Sequence, residues 1–221
     1  MIRNVIFDFD GTITDSRRDI AGTQLQVLKD LGVTAVREED LYPYIGKTLE
    51  ETFRRVLPEH RHTLIGEAAR RYSESYPSRS LRTTTLYPGV RDTLEILRSR
   101  GVGLAVASTK KGPGILRATE HFRITALFDQ LQGSEDLPYK PDPAIIRKIM
   151  QDRGWTVPET MIVGDTDNDL LAGRRAGIAT CGVTYGAWTR EQLLTLHPDY
   201  LIDRFAEILD VLDAHGARRA Y

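Results

Sequence analysis

Short apolar runs, each closed by a polar or glycine-bearing turn, constrain this chain more than any other feature of its sequence. They are Val5-Ile6-Phe7, Leu104-Ala105-Val106-Ala107, Leu127-Phe128 with Leu131, Met161-Ile162-Val163 and Ile178 through Val183, with a weaker one at Tyr200-Leu201-Ile202. They are too short for helices and too evenly apolar for strands with one wet face. Between the later runs, Val90, Leu94, Leu97 and then Ile145, Ile146, Ile149 recur at the three- and four-residue spacing that gathers apolar groups on one side of a helix. Nearly continuous apolar strands alternating with helices imply a parallel sheet covered on both faces, an α/β doubly wound fold.

Ser16 to about Thr85 breaks the alternation. Asp15 or Ser16 can cap a helix carrying Ile20, Val27, Leu28 and Leu31, with Gly32 placed to end it. Leu49, Phe53, Val56 and Leu57, stopped at Pro58, make a second amphipathic pattern, and Leu64, Ile65, Ala68, Ala69, Tyr72 a third. Three helices in succession exceed what one strand crossover needs. The expected organisation is therefore a sheet domain made of 1–15 and 84–221, interrupted by a helical insert at 16–83. The polar stretches Thr14-Asp15-Ser16 and Arg82 through Pro88 are its two hinges.

With 221 residues the chain can bury a core without staples. Its one cysteine, Cys181, excludes an internal disulfide or a cysteine-rich zinc site and suits a reducing cytoplasm. Thirty basic side chains against 31 acidic ones leave a net charge of −1, without the cationic excess that nucleic acid or an anionic membrane demands. No segment offers the roughly 20 apolar residues of a membrane span. The start, Met1-Ile2-Arg3-Asn4, runs into a strand instead of a signal sequence.

Two acidic clusters carry the chemistry. Asp8-Phe9-Asp10-Gly11-Thr12 directly follows Val5-Ile6-Phe7, so two carboxylates stand at the carboxyl end of a parallel strand, where doubly wound sheets hold their ligands. Acids this close stay ionised together only with a cation or donors between them. Asp165-Thr166-Asp167-Asn168-Asp169 likewise follows a strand. It is no calcium loop, because Leu170 and Ala176 occupy the positions such a loop gives to Gly and Glu. Asp165, and Asp169 directly or through water, suit a magnesium ion shared with a substrate phosphate. Ser108-Thr109-Lys110 closes another strand, where a hydroxyl and turn amides can take phosphate oxygens. Lys140, in Tyr139-Lys140-Pro141-Asp142-Pro143, sits on a loop stiffened by two prolines.

Asp8/Asp10 with Gly11 and Thr12, then Ser108, then Lys140, then Asp165/Asp169, in that order, resembles the haloacid-dehalogenase-like hydrolase superfamily over nearly the whole chain. Within it, the small cap and the Gly46-bearing loop look most like the phosphoglycolate-phosphatase and pyrophosphatase group, although Ser108-Thr109 stands where Thr-Asn is commoner. The resemblance implies a Rossmann-like core with an all-α cap inserted after the first strand, aspartyl-phosphate chemistry and Mg2+ dependence. Asp8 is then the nucleophile and Asp10 the acid and base, with its backbone carbonyl also on the metal. Lys140 and Mg2+ offset the repulsion between carboxylate and phosphate. Gly11, Thr12, Ser108, Thr109 and neighbouring amides hold the transferring oxygens. A proton donor at Asp10 favours an alkoxide leaving group over a halide.

The expected function is hydrolysis of a small phosphorylated metabolite, 2-phosphoglycolate first, by a cytoplasmic monomer or homodimer. Inorganic pyrophosphate hydrolysis and sugar-phosphate mutation are alternatives within the superfamily. A phosphate-accepting signalling receiver is the rival outside it, disfavoured by the acid two residues after Asp8 and by the helical insert. Tyr44, Gly46 and Lys47 form the cap loop expected to meet the substrate, Lys47 through a carboxylate or second phosphate.

Overall fold

The computed structural model describes residues 1–217, so positions 218–221 of the expected sheet domain lie outside the described residues. In chain order the elements are β1 (Asn4–Phe7), β2 (Thr14–Asp15), α1 (Arg17–Asp30), α2 (Leu49–Val56), α3 (Ile65–Arg79), β3 (Thr85–Leu86), α4 (Val90–Ser99), β4 (Gly103–Ala107), α5 (Gly112–His121), β5 (Gln130–Gln132), α6 (Ala144–Arg153), β6 (Thr160–Gly164), α7 (Asp167–Ala176), β7 (Ala179–Val183), α8 (Arg190–Leu194), β8 (Tyr200–Ile202) and α9 (Ile208–Ala217).

One sheet runs β5-β4-β1-β6-β7-β8 with every neighbouring pair parallel. The chain steps outward from β1 through β4 to β5 and then returns to β6 on the other side of β1. Strand order therefore reverses beside β1, and such a reversal opens a crevice at the carboxyl ends of the strands. Phe7 is in register with Val106 on β4 and Val163 on β6. The residues just beyond, from Asp8, Ser108 and Asp165, consequently emerge side by side.

Strand side chains alternate between the two faces. Val5, Phe7, Leu104, Val106, Met161, Val163, Cys181 and Val183 pack with α4, α5 and α9. Ile6, Ala105, Ala107 and Ile162 pack against α6 and α7 on the opposite face. Residues of the sheet are thus buried on both sides, as the continuous apolar runs required. Cys181 is buried, and burial pushes its thiol well up, leaving it unreactive.

The insert has a hydrophobic cluster of its own, in which Ile20, Val27 and Leu28 of α1, Phe53 of α2 and Ala68 and Tyr72 of α3 meet, with Leu41 and Ile45 from the connecting turn. Its two links to the sheet domain are stitched together. Thr14 and Asp15 pair antiparallel with Leu86 and Thr85. The Asp19 carboxylate accepts the backbone N–H groups of Arg82, Thr83 and Thr84 and the hydroxyls of Thr83 and Thr84.

Three local expectations need correction. Leu127-Phe128 is not strand: Thr125–Leu127 is a 3-10 turn, and β5 is confined to Gln130–Gln132, because the strand here sits at the sheet edge and needs no long apolar run. Within the polar stretches expected as hinges, with no strand foreseen there, Thr14–Asp15 and Thr85–Leu86 pair as the β2/β3 ribbon, too short to leave a period in the sequence. Ser16 occupies the N-cap position of α1 but makes no capping bond, since its hydroxyl donates to Asp10 instead. Among the described residues no helix is long and apolar enough to cross a membrane.

Candidate active site

Four loops meet at the carboxyl edge of β1, β4 and β6. Lys140, brought in by the loop before α6, is almost fully buried and uses all three ammonium protons. Its Nζ donates to Asp8 Oδ1 at 2.6 Å, to Asp169 Oδ1 at 2.6 Å and to the Ala107 carbonyl at 2.8 Å. The Lys140–Pro141 peptide bond is cis. Asp169 is fixed from its other side, where Oδ2 accepts the Thr166 N–H and hydroxyl at the start of α7. Asp165 Oδ1 accepts the Thr12 hydroxyl at 3.2 Å, and its Oδ2 accepts the Ala187 N–H at 2.7 Å.

Oxygen atoms of Asp8, Asp165 and Asp169 all lie within 4.8 Å of one another, and all three residues are buried. Burial pushes the Asp8 carboxyl up to about 7; the Lys140 ammonium opposes this, while the Asp169 and Asp10 carboxylates add to it. Burial, with Asp8 and Asp169 nearby, also pushes Asp165 well above the usual carboxylate range against the pull of Ala187 and Thr12. Lys140 is the mirror case: its burial disfavours the charge, but Asp169 and Asp8 more than compensate, so it stays an ammonium. One cation among this many carboxylates leaves the cluster short of positive charge. An oxygen-only donor set of this kind suits a hard divalent ion such as Mg2+.

Two glycines make room for Asp165. Gly11 has φ +96°, and a methyl group there would overlap the Asp165 carboxylate. A methyl group on Gly186 would overlap the same side chain. The tightness of this slot explains why the residue after Asp10 and a residue far down the chain are both glycine.

The remaining residues singled out from the sequence divide. Asp10 is buried, with Oδ1 accepting the Ser16 hydroxyl at 2.6 Å and Oδ2 2.9 Å from the Lys110 ammonium. Its side chain is outside the three-carboxylate group. Ser108 is buried beside Asp8's strand, its Oγ accepting the Lys110 N–H at 3.1 Å. Thr109 accepts the Ser134 hydroxyl on its carbonyl. Gly46, at φ +88°, places the insert loop against the start of α7, where its carbonyl accepts Asn168 Nδ2 at 3.1 Å. The Tyr44 carbonyl turns that loop by accepting the Lys47 N–H. Lys47 does not stand free for a substrate: its ammonium lies 2.6 Å from Asp167 and 3.0 Å from Asn168 Oδ1. A cavity of about 240 Å³ lies between sheet domain and insert, lined by Gly11, Ser16, Tyr42, Ile45, Tyr87 and Gly186 among others.

Sequence reading gave no site role to Ser16, Lys110, Asn168 or the Gly186-Ala187 pair. Lys110 follows Ser108-Thr109 directly, so its place on the site loop was visible, but nothing in the sequence tells a buried ammonium from a solvated one. Gly186-Ala187 belongs to no motif, and only the distance to Asp165 reveals it.

Comparison with known proteins identifies the family. The sequence pattern of the family described as haloacid dehalogenase-like hydrolase matches residues 5–183. A phosphoglycolate phosphatase of Vibrio parahaemolyticus is 30% identical over 219 residues, covering 96% of each chain. A phosphoglycolate phosphatase of Aquifex aeolicus is 30% identical over 215 residues, covering 97% of this chain and 98% of its own. Among solved structures, a haloacid dehalogenase-like family hydrolase of Streptococcus pneumoniae superposes with a TM-score of 0.87 at 28% identity, over 96% of this chain and 98% of that one.

Proposed function

The chain belongs to the haloacid dehalogenase-like hydrolases and is a phosphatase, and from that premise we propose that it hydrolyses a small phosphate monoester, 2-phosphoglycolate first among candidates, through a phosphoryl group carried on Asp8. The observation that carries this reading is the meeting of the Asp8, Asp165 and Asp169 carboxylates, with the Lys140 ammonium bonded to Asp8 and Asp169. The choice of substrate is supported by the names of the relatives at 30% identity and by the modest cavity beside Gly11.

Asp8, Asp165 and the Asp10 backbone carbonyl would hold Mg2+, with Asp169 contributing directly or through water. Bound there, the ion supplies the positive charge that lets a carboxylate approach a phosphate dianion. Lys140 holds Asp8 in a fixed orientation and contributes a second positive charge to the same spot. Asp8 attacks phosphorus, replacing one difficult displacement by two easier ones. Asp10 gives a proton to the departing alkoxide and later takes one from the water that frees the phosphate. Ser108, Thr12, Gly11 and the amides around Thr109 hold the transferring oxygens in the transition state. The helical unit 16–83 acts as a cap: Ile45 and Tyr42 close the cavity on one side and exclude bulk water.

Phosphate release measured across 2-phosphoglycolate, pyrophosphate, hexose phosphates and nucleoside monophosphates, with Mg2+ and with chelator, tests the reading. Preference for the small carboxylated monoester and silence in chelator are expected. A preference for pyrophosphate would reassign the substrate, and no release from any compound in Mg2+ would overturn the reading.

A further inference from the structure

Lys110 has a place that the reaction as described leaves unexplained. It lies on the loop between β4 and α5, and its side chain is only 12% exposed. Its ammonium sits 2.9 Å from Asp10 Oδ2 and donates to the Tyr76 hydroxyl at 3.1 Å, lying 4.7 Å from the centre of the same ring. Tyr76 belongs to α3 of the insert and stacks on Tyr72 at 5.0 Å between ring centres. The Lys110 backbone N–H is meanwhile fixed on Ser108 Oγ. The Lys110 side chain therefore joins the acid–base residue to the insert, while its backbone is tied to Ser108 on the phosphate loop.

A buried ion pair is poor value as scaffold, because desolvation of both charges offsets most of their attraction and an apolar pair of similar volume serves folding as well. Its geometric effect is larger. With Ser16 on one oxygen and Lys110 on the other, the Asp10 carboxylate has its plane fixed; with Lys110 removed, the Ser16 bond is the one side-chain hydrogen bond left to it among the described residues. Misplacement of a proton-transfer group by an ångström is costly to a reaction that depends on alignment.

We propose that Lys110 is a positioning residue that aims the Asp10 carboxylate at the leaving-group oxygen, and that its bond to Tyr76 makes this aim depend on the position of the insert. This rests on the reading of Asp10 as proton donor. The consequence is selective: an alkoxide needs the proton on departure, whereas the acetate released from acetyl phosphate does not.

The test compares kcat/KM for 2-phosphoglycolate, or whichever alkyl phosphate the wild type hydrolyses best, with kcat/KM for acetyl phosphate in saturating Mg2+. Lys110→Met is expected to lose about thirtyfold on the alkyl phosphate and less than about threefold on acetyl phosphate, a fraction of what general acid catalysis supplies. Lys110→Arg is expected to recover part of the loss. Tyr76→Phe, which keeps the stacked ring and deletes one hydroxyl, is expected to show the same selectivity at about threefold, and it decides the matter should Lys110→Met fail to fold. Equal losses on both substrates, or no loss, overturn the proposal. Asp10→Asn separates the two layers. If it penalises both substrates alike, the proton-donor reading falls with the proposal; if it penalises only the alkyl phosphate while the Lys110 and Tyr76 variants do not, the proposal falls alone.

Discussion

The Lys47 ammonium of the insert reaches the Asp167 carboxylate of the sheet domain at 2.6 Å, with the two side chains only 15% and 23% exposed. This contact and the Gly46 carbonyl bond to Asn168 hold the insert loop on the start of α7. A lysine engaged in this way is expected to hold the insert loop and not to recognise substrate. Lys47→Met is expected to change KM for 2-phosphoglycolate by less than about threefold, and the Lys47→Met/Asp167→Ala double-mutant cycle is expected to show about 1 kcal/mol of coupling in urea unfolding. A tenfold rise in KM confined to carboxylated substrates would restore the substrate role expected from the sequence.

Replacing Asp8 by asparagine keeps the side chain's size and removes its nucleophilicity. Turnover is expected to fall more than about a thousandfold while the fold persists. Acid quenching of wild type during turnover, followed by mass analysis of the peptide containing Asp8, is expected to show an added phosphoryl group that the variant lacks. Wild-type rates in Asp8→Asn would remove the assigned role.

The charge deficit has a pH signature. Burial raises the folded Asp8 carboxyl from 3.8 to about 7, so between those values the metal-free folded protein holds a proton that the unfolded chain has released. Stability in chelator is therefore expected to be highest at the acid end of that window and to fall as pH rises through it. On the proposed reading Mg2+ would bind the ionised carboxylates, and its stabilising effect is expected to grow over the same range. Thermal unfolding from about pH 5 to 8, with chelator and with Mg2+, measures both trends. Asp8→Asn is expected to flatten the chelator profile; an unchanged slope would show that Asp8 is not its source.

Gly186 reads as an ordinary turn residue until its distance to Asp165 is known. Gly186→Ala is expected to displace that carboxylate, weakening Mg2+ binding by about tenfold or more, the usual cost of disturbing a ligand's support. Calorimetric titration with Mg2+ checks it directly. A control at Gly66, where an added methyl meets nothing, is expected to leave the affinity unchanged.

The parallel sheet was legible because strands buried on both faces must be apolar throughout, and Val5-Ile6-Phe7 and Met161-Ile162-Val163 have no other economical reading. Asp8 and Asp165 were legible for a related reason: a carboxylate at the end of such a strand is forced to the ligand edge. Contacts made between units left no such trace. Lys47 meets Asp167, and Lys110 meets Tyr76, only because the insert folds back over the sheet edge, and no periodicity within either segment encodes that approach. The misreading at Leu127-Phe128 arose from composition alone, since apolar residues in a tight turn can cover a core as well as strand residues can.

Asp15 and Thr85 face each other across the β2/β3 ribbon, so the polypeptide leaves the sheet domain and returns to it at one spot. A tight two-residue turn joining them would yield a simple hairpin and leave Asp8, Lys140 and Asp165 undisturbed. If the helical unit is the lid proposed above, such an attachment would make it exchangeable as a block, so that a cover with another lining could be grafted onto the same chemistry without redesigning the platform beneath.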